Sequence, residues 1–161
     1  MPVPALFANQ RETILVSTVA MVEDVLVELG HFVNDARAEE TDAIYEWRVF
    51  KGSAEVRVQI VEQAGMPHLR IRSAVMVLPP HINRAAAFAH LLALNLDLVG
   101  AAFACIDRQV VLTAERSTLD LDRSEVLDLI RRVQELADEQ DDDLVAQFGG
   151  ELLHAADEIE D

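Results

Sequence analysis

The segment His90–Ile106, HLLALNLDLVGAAFACI, decides how the rest of the chain can fold. Thirteen of its 17 residues are apolar, in a chain that carries 29 acidic and only 13 basic side chains. A membrane span needs about 20 consecutive apolar residues. Extending this segment toward the N-terminus adds Asn83 and Arg84, and Asp97 already lies inside it. We therefore expect a segment buried in protein and no membrane span.

The residues before Gly100 predict a helix over about 82–98 that has almost no polar face. A helix that is apolar all round must be covered on every side. In a domain of this size one sheet covers one side, so the other side needs another helix or another subunit. Leaving several leucines exposed would cost several kcal/mol at roughly 25 cal/mol per Å² and would create an aggregation-prone patch.

The residues on either side of this helix alternate as strands do. Apolar and polar residues alternate near 44–51, 54–62 and 68–77, which predicts three antiparallel strands joined by short turns. After the helix, AAFACI and VVLTAE flank the polar link DRQ and predict a second hairpin.

One amphipathic helix precedes these strands in the sequence, and another follows them. Asn9 with Glu12 resembles a capping box before a helix over about 10–29, which Gly30 ends. Asp122 with Glu125 predicts the start of a helix over about 123–138. The order α-β-β-β-α-β-β-α defines an α+β fold, an antiparallel sheet packed against helices.

The acidic residues are concentrated toward the end of the chain. The net charge is −16, and residues 133–161 hold eleven Asp and Glu with no Lys or Arg. We expect a domain over 1–138 and an acidic extension over 139–161 that is partly helical or frayed. This charge argues against direct nucleic-acid binding and against an anionic membrane surface.

No motif in the sequence indicates catalysis or a cofactor. The five histidines are scattered, and the run DEQDDD lacks the glycine and the final glutamate of a calcium loop. Cys105 is the one cysteine and lies in an apolar run, so we interpret it as a buried hydrophobe in a reducing cytoplasm. The first residues lack the basic region of a signal peptide, and we expect a cytoplasmic protein that is not an enzyme.

The element order and the second half of the chain resemble the YbjN family, which shares its fold with the class I chaperones of type III secretion. The resemblance covers about residues 10–138. It rests on the Leu-Leu-x-Leu-Asn helix at 91–95, on Gly100 with Phe103, and on the hairpin through 110–112. The stretch YEWRVFKGSAEVRVQI, with Trp47 near its start, is similar to the family's first hairpin.

The resemblance implies a non-enzymatic, homodimeric module that binds a polypeptide client. Such chaperones pair through the second helix and the strands after it. We therefore predict that the dimer interface contains Phe88, Leu91, Leu92, Leu94, Asn95, Leu98 and Phe103.

Three interpretations of particular residues and of the function stay open at this point. Asn95 either bonds to backbone at the helix end or sets the register of a dimer seam. Tyr45, Trp47 and Phe50 near the first strand either pack in the core, or Tyr45 and Trp47, together with Val49, face a groove that binds an extended client by edge-strand addition. The alternative function is an acidic regulator or nucleic-acid mimic that acts on a DNA-binding protein. A stripe of carboxylates on the folded domain, rather than on the acidic extension, would indicate this function.

Overall fold

Residues 5–152, the part of the chain that the computed structural model describes, form four helices and six strands. In chain order these are α1 (Ala5–Glu28), α2 (Val33–Ala36), β1 (Tyr45–Lys51), β2 (Ala54–Gln63), β3 (Met66–Val77), α3 (Arg84–Asp97), β4 (Ala102–Ile106), β5 (Gln109–Ser117), α4 (Arg123–Phe148) and β6 (Glu151–Leu152). The predicted α+β class and the order of its main elements are confirmed. The single turn α2 and the short strand β6 are additions that the sequence patterns did not predict.

The strands form one antiparallel sheet in the order β1-β2-β3-β5-β4, and β6 pairs with the end of β3. Trp47 lies opposite Val58, which lies opposite Ile71, and all three side chains are buried. Because side chains alternate across a strand, these residues share one face, the inner face of the sheet. The side chains between them, such as Arg57, point to the other face, here called the open face.

Helices α1 and α4 contact each other and pack with the inner face of the sheet around one apolar core. Val22 and Leu26 of α1 and Ile130 of α4 are fully buried there. Each such side chain contributes about 1.5–3 kcal/mol of burial free energy. The core therefore lies between this helix pair and β1, β2, β3 and β5, and α3, beside β4, adds only Ala87 and Leu91 to it.

Helix α4 continues ten residues past its predicted end at 138 and reaches Phe148. Asp141 and Leu144 extend the buried face that begins at Val126, while Asp142 and Asp143 point outward. Most of the DEQDDD run is thus the outer surface of a helix, and helical packing overrides its charge because the buried spacing is preserved. The predicted boundary at 138 falls within α4, and residues 153–161 of the predicted extension lie outside the described residues.

Most of the capping residues that the sequence predicts lie at the ends of helices in the structure. Asp122 and Glu125 form the predicted capping box of α4, and Gly30, with φ 87°, follows the end of α1. The predicted cap at Asn9 is wrong, because α1 begins at Ala5 and Asn9 lies inside it. The β4–β5 turn has a positive φ at Asp107, where hairpins usually place glycine or asparagine.

Candidate protein-binding surfaces

Helix α3 contacts the rest of the chain along one side only. Ala87 and Leu91 are its buried residues, and β4 is its main neighbour. Leu92 is 69% exposed and Leu96 is 86% exposed, although both are leucines. A set of exposed apolar residues recurs three and four positions apart along the helix and just past its end. Here this set is called the α3 stripe: Ala85, Phe88, Ala89, Leu92, Ala93, Leu96 and Val99.

The structure divides the predicted dimer residues between two sides of α3. Phe88 and Leu92 belong to the α3 stripe. Leu91 and Phe103 are buried in the core of the protomer itself, so their packing needs no second copy. The remaining predicted residues, Leu94, Asn95 and Leu98, are half-buried.

Two strongly exposed residues were not predicted: Leu96, on the free side of α3, and Val99, just after the end of the helix. Leucines on both sides of α3 look alike in a linear sequence. The available signal was the spacing of Ala85, Ala89 and Ala93, which marks one row of small residues.

Asn95 holds α3 against the outer edge of β4. Its Oδ1 accepts a hydrogen bond from the Phe103 backbone N at 2.6 Å, and its Nδ2 donates to the Phe103 O at 3.1 Å. The interpretation that Asn95 bonds to backbone is confirmed. Because both ends of the amide are used, the helix is fixed to the strand edge by Asn95, and Leu92 and Leu96 remain exposed.

The predicted client-binding residues of β1 lie mostly in the core. Trp47 and Val49 are buried, and the Trp47 Nε1 donates to Glu23 Oε1 at 3.3 Å. For these two side chains the core interpretation holds, and an outward orientation is wrong because the pleat directs them to the inner face. Tyr45 is half-buried, stacks on Trp47 and lies under the Arg37 guanidinium.

The middle of the β1 edge is not free for strand addition. The Ala38 backbone N donates to the Glu46 O at 2.9 Å, and Arg37 forms a bridge with Trp47. An added client strand would have to displace this segment or pair beyond it, toward Phe50.

A cleft beside the end of β1 exposes two aromatic rings. Phe32, between α1 and α2, is 79% exposed, and Phe50 of β1 is 49% exposed. The cavity between them measures about 220 Å³, and here it is called the Phe32–Phe50 cleft. Its lining residues are Gly30, His31, Phe32, Asp35, Ala36, Arg48, Val49 and Phe50.

Two properties make this cleft suitable for an apolar side chain. Burial lowers the pKa of His31, which keeps the imidazole neutral at pH 7. The two phenyl rings offer large apolar area that no residue of the described chain covers. Strand alternation from the buried Trp47 and Val49 would have predicted the outward direction of Phe50, whereas no pattern marked Phe32.

The described residues offer little for catalysis. Burial raises the pKa of the Cys105 thiol, which opposes a reactive thiolate. Within residues 5–152 no group of three or more His, Cys, Asp or Glu side chains is placed to hold a metal ion. Of the helices in this range, none is both long enough and apolar enough to cross a bilayer.

Comparison with known proteins identifies the family. The model of TY-Chap1, the T3SS (YopN, CesT) and YbjN peptide-binding chaperone 1, matches residues 17–156. This is most of the chain, and the protein therefore belongs to that family of peptide-binding chaperones. No curated protein sequence matches it.

Solved structures share the fold at low sequence identity. A chain of the heterodimeric ExoU–SpcU complex from the type III secretion system of Pseudomonas aeruginosa is 17% identical, with a TM-score of 0.53 over 79% of this chain and 97% of that chain. A chain of the Yersinia pestis type III secretion chaperone SycH in complex with a fragment of YscM2 is 16% identical, with a TM-score of 0.52 over 74% and 96%. YbjN from E. coli is 15% identical, with a TM-score of 0.52 over 83% and 94%.

Proposed function

We propose that the protein is a homodimeric chaperone that acts in the cytoplasm and holds a segment of a polypeptide client without catalysing a reaction. The single observation that carries this proposal is the α3 stripe. It is an apolar helix face left exposed in a chain of a peptide-binding chaperone family. The SycH and ExoU–SpcU structures describe complexes of type III secretion proteins with partner proteins, which supports a protein client here.

The chemistry of the α3 stripe suits a second copy of the same helix. Rows of residues four apart pack into the grooves of a facing helix, and the small Ala89 and Ala93 allow close approach. Burying the large stripe residues of two copies would contribute on the order of 10–20 kcal/mol. Association costs about 4–15 kcal/mol in lost freedom, which this gain matches or exceeds over most of both ranges. The comparison supports pairing through the α3 stripe.

The test of pairing is the double variant Leu92→Asp, Leu96→Asp. We expect wild-type protein to sediment as a dimer at micromolar concentration and the variant to sediment as a folded monomer, because charges on the stripe cannot be buried unpaired. Val16→Asp is a matched control, since Val16 is 64% exposed on α1. A wild-type monomer, or a variant that remains a dimer, would rule out pairing through α3.

The client surface that we propose is the Phe32–Phe50 cleft together with the free end of the β1 edge. Strands β1 and β4 lie at opposite edges of the sheet, so pairing through α3 beside β4 leaves this cleft open in both copies. An extended client would place an apolar side chain between the two rings and pair its backbone with β1 beyond Arg48.

The cleft is tested with a fluorescent ten-residue peptide of alternating valine and serine. We expect the variant Phe32→Ser, Phe50→Ser to bind it at least tenfold more weakly than wild type, because two aromatic anchors are lost. Leu119→Ser is the control, since Leu119 is 48% exposed in the loop before α4. Equal binding by all three proteins would exclude the cleft as the client site.

One observation favours the second candidate function, an acidic regulator of a DNA-binding protein. Helix α4 exposes a set of carboxylates on the folded domain: Asp128, Glu135, Asp138, Glu139, Asp142 and Asp143. Such a surface attracts basic segments. If this function operates, the protein should displace duplex DNA from a basic partner recovered with it, and neutralising Glu135, Asp138, Glu139 and Asp142 should abolish displacement. Failure to compete would leave only the chaperone function.

A further inference from the structure

The open face of the sheet carries a row of arginines, of which the proposed function uses only Arg48, in the wall of the Phe32–Phe50 cleft. Arg48 of β1 lies directly opposite Arg57 of β2, which lies directly opposite Arg72 of β3. Neighbouring strands are about 4.8 Å apart, and like charges placed opposite each other destabilise a sheet. Here this set is called the arginine row, and it lies in a chain with 29 acidic residues.

Two members of the arginine row have carboxylate partners on their own strands. Arg48 Nε donates to Glu46 Oε1 at 2.9 Å, and Arg57 Nε donates to Glu55 Oε1 at 2.8 Å. These pairs relieve the repulsion at one end of the row.

Arg72 has no such partner. Its Nε is buried and has no hydrogen-bond partner among residues 5–152. The nearby Glu115 instead accepts a hydrogen bond from Arg70 at 2.7 Å. Burial, and then the charge of Arg70, lower the pKa of Arg72, and the Glu115 carboxylate offsets only part of this. A buried guanidinium donor without an acceptor is costly, and such exceptions are concentrated at functional sites.

We propose that Arg72, with Arg57 beside it, binds carboxylates of an acidic, extended segment of a polypeptide partner. A guanidinium presents paired donors that match a carboxylate. The overall charge of −16 does not prevent this, because screening limits each charge to about 8 Å at physiological salt. This inference rests on the proposed function for the polypeptide nature of the partner.

The surroundings of the arginine row define the direction from which the segment approaches. Beyond Arg72 the row continues as Thr113 on β5 and Ala102 on β4, which are small and uncharged. At its β1 end, Glu39, Glu40 and Asp42 line a polar cavity with Arg48 and Arg57. An acidic segment is therefore repelled at the β1 end and approaches over Thr113 and Ala102, since Glu115 on β5 is paired with Arg70. Arg72 and Arg57, which form this site, do not line the Phe32–Phe50 cleft.

The experiment measures binding of a fluorescent eight-residue peptide of alternating glutamate and valine to the full chain. We expect Arg72→Gln to bind at least tenfold more weakly than wild type, and binding to weaken as salt is raised. Arg123→Gln is the matched control, because Arg123 pairs with Glu28 on the helix side. A peptide with glutamine in place of glutamate should bind no better to wild type than to Arg72→Gln.

Thermal unfolding separates binding from folding. Arg72→Gln should melt at least as high as wild type, because it removes a partly buried charge that Arg70 repels. Loss of peptide binding together with a lower melting temperature would make Arg72 structural and would overturn the proposal, as would equal binding by Arg72→Gln and wild type.

A further variant tests whether the chain itself occupies the row. The variant neutralises four acidic residues: Asp157, Glu158, Glu160 and Asp161. If it binds the peptide tenfold more tightly than wild type, these residues occupy the arginine row and the proposed partner is wrong. Unchanged binding supports the proposed partner. If the arginine row does not bind the acidic peptide, the outcomes of the valine–serine peptide binding and of the sedimentation experiment do not change. The two proposals therefore fail separately.

Discussion

At the scale of single residues, Glu46 shows how a carboxylate can be stable inside the sheet layer. It is 4% exposed and accepts hydrogen bonds from Gln59 Nε2 at 2.7 Å, Thr41 Oγ1 at 2.8 Å and Arg48 Nε at 2.9 Å. Burial raises the pKa of Glu46, but these hydrogen bonds outweigh it and the net direction is downward. Glu46 thereby joins β1, β2 and the loop before them.

Replacing Glu46 with Gln should destabilise the protein by about 1–3 kcal/mol at pH 7, because the replacement cannot accept all three bonds. A depressed pKa means that the folded state favours the carboxylate. The contribution of Glu46 to the free energy of unfolding is therefore fully present above pH 4.5, the ordinary pKa of a glutamate. It is lost as the pH falls through the lower pKa that Glu46 has in the folded state. Urea unfolding at pH 7 and pH 3 should show that the difference in unfolding free energy between wild type and Glu46→Gln is smaller at pH 3. Glu62→Gln, at an exposed site, is the control, and a difference that is equal at both pH values would contradict this account.

At the scale of elements, Asn95 is the main polar link between α3 and the strand that it covers. Replacing Asn95 with Ala removes the bonds to both the N and the O of Phe103 and should cost about 1–3 kcal/mol. The Phe103 amide should then exchange its hydrogen faster, and dimer affinity should fall because α3 is less well fixed.

The exposed Asn34→Ala serves as the control for Asn95→Ala, since Asn34 lies on the surface of α2. Unchanged exchange at Phe103 in Asn95→Ala would show that α3 is held by apolar packing alone.

At the same scale, α3 and α4 differ in how well sequence predicted them. The bounds of α3 follow from a mostly apolar run between Asn83 and Gly100, and Asn83 accepts a hydrogen bond from the Ala86 N as a cap. The end of α4 was underestimated because a run of acidic residues resembles a solvated tail. Asp141 and Leu144 correct that interpretation, since buried residues three and four positions apart keep the helix on the core.

At the scale of the whole molecule, the surfaces are separated by the strand order. The α3 stripe lies beside β4 at one edge of the sheet, the Phe32–Phe50 cleft lies at β1 on the other edge, and the arginine row crosses the open face between them. A dimer formed through α3 would expose two clefts and two arginine rows. One polypeptide client could then contact apolar and basic sites of the same protomer.

Periodicity along the chain was enough to predict the fold class, the order of helices and strands along the chain, and an apolar helix that needs to be covered. Residue type at the helix ends predicted the two capping residues Asp122 and Gly30. These properties are local, because a strand or a helix repeats its pattern within a few residues. Tertiary structure alone decided that Trp47 faces inward, that Phe32 and Phe50 flank a cleft, and that Leu92 rather than Leu91 is exposed. Each of these depends on which neighbour lies against a side chain, and residues distant in sequence supply that neighbour.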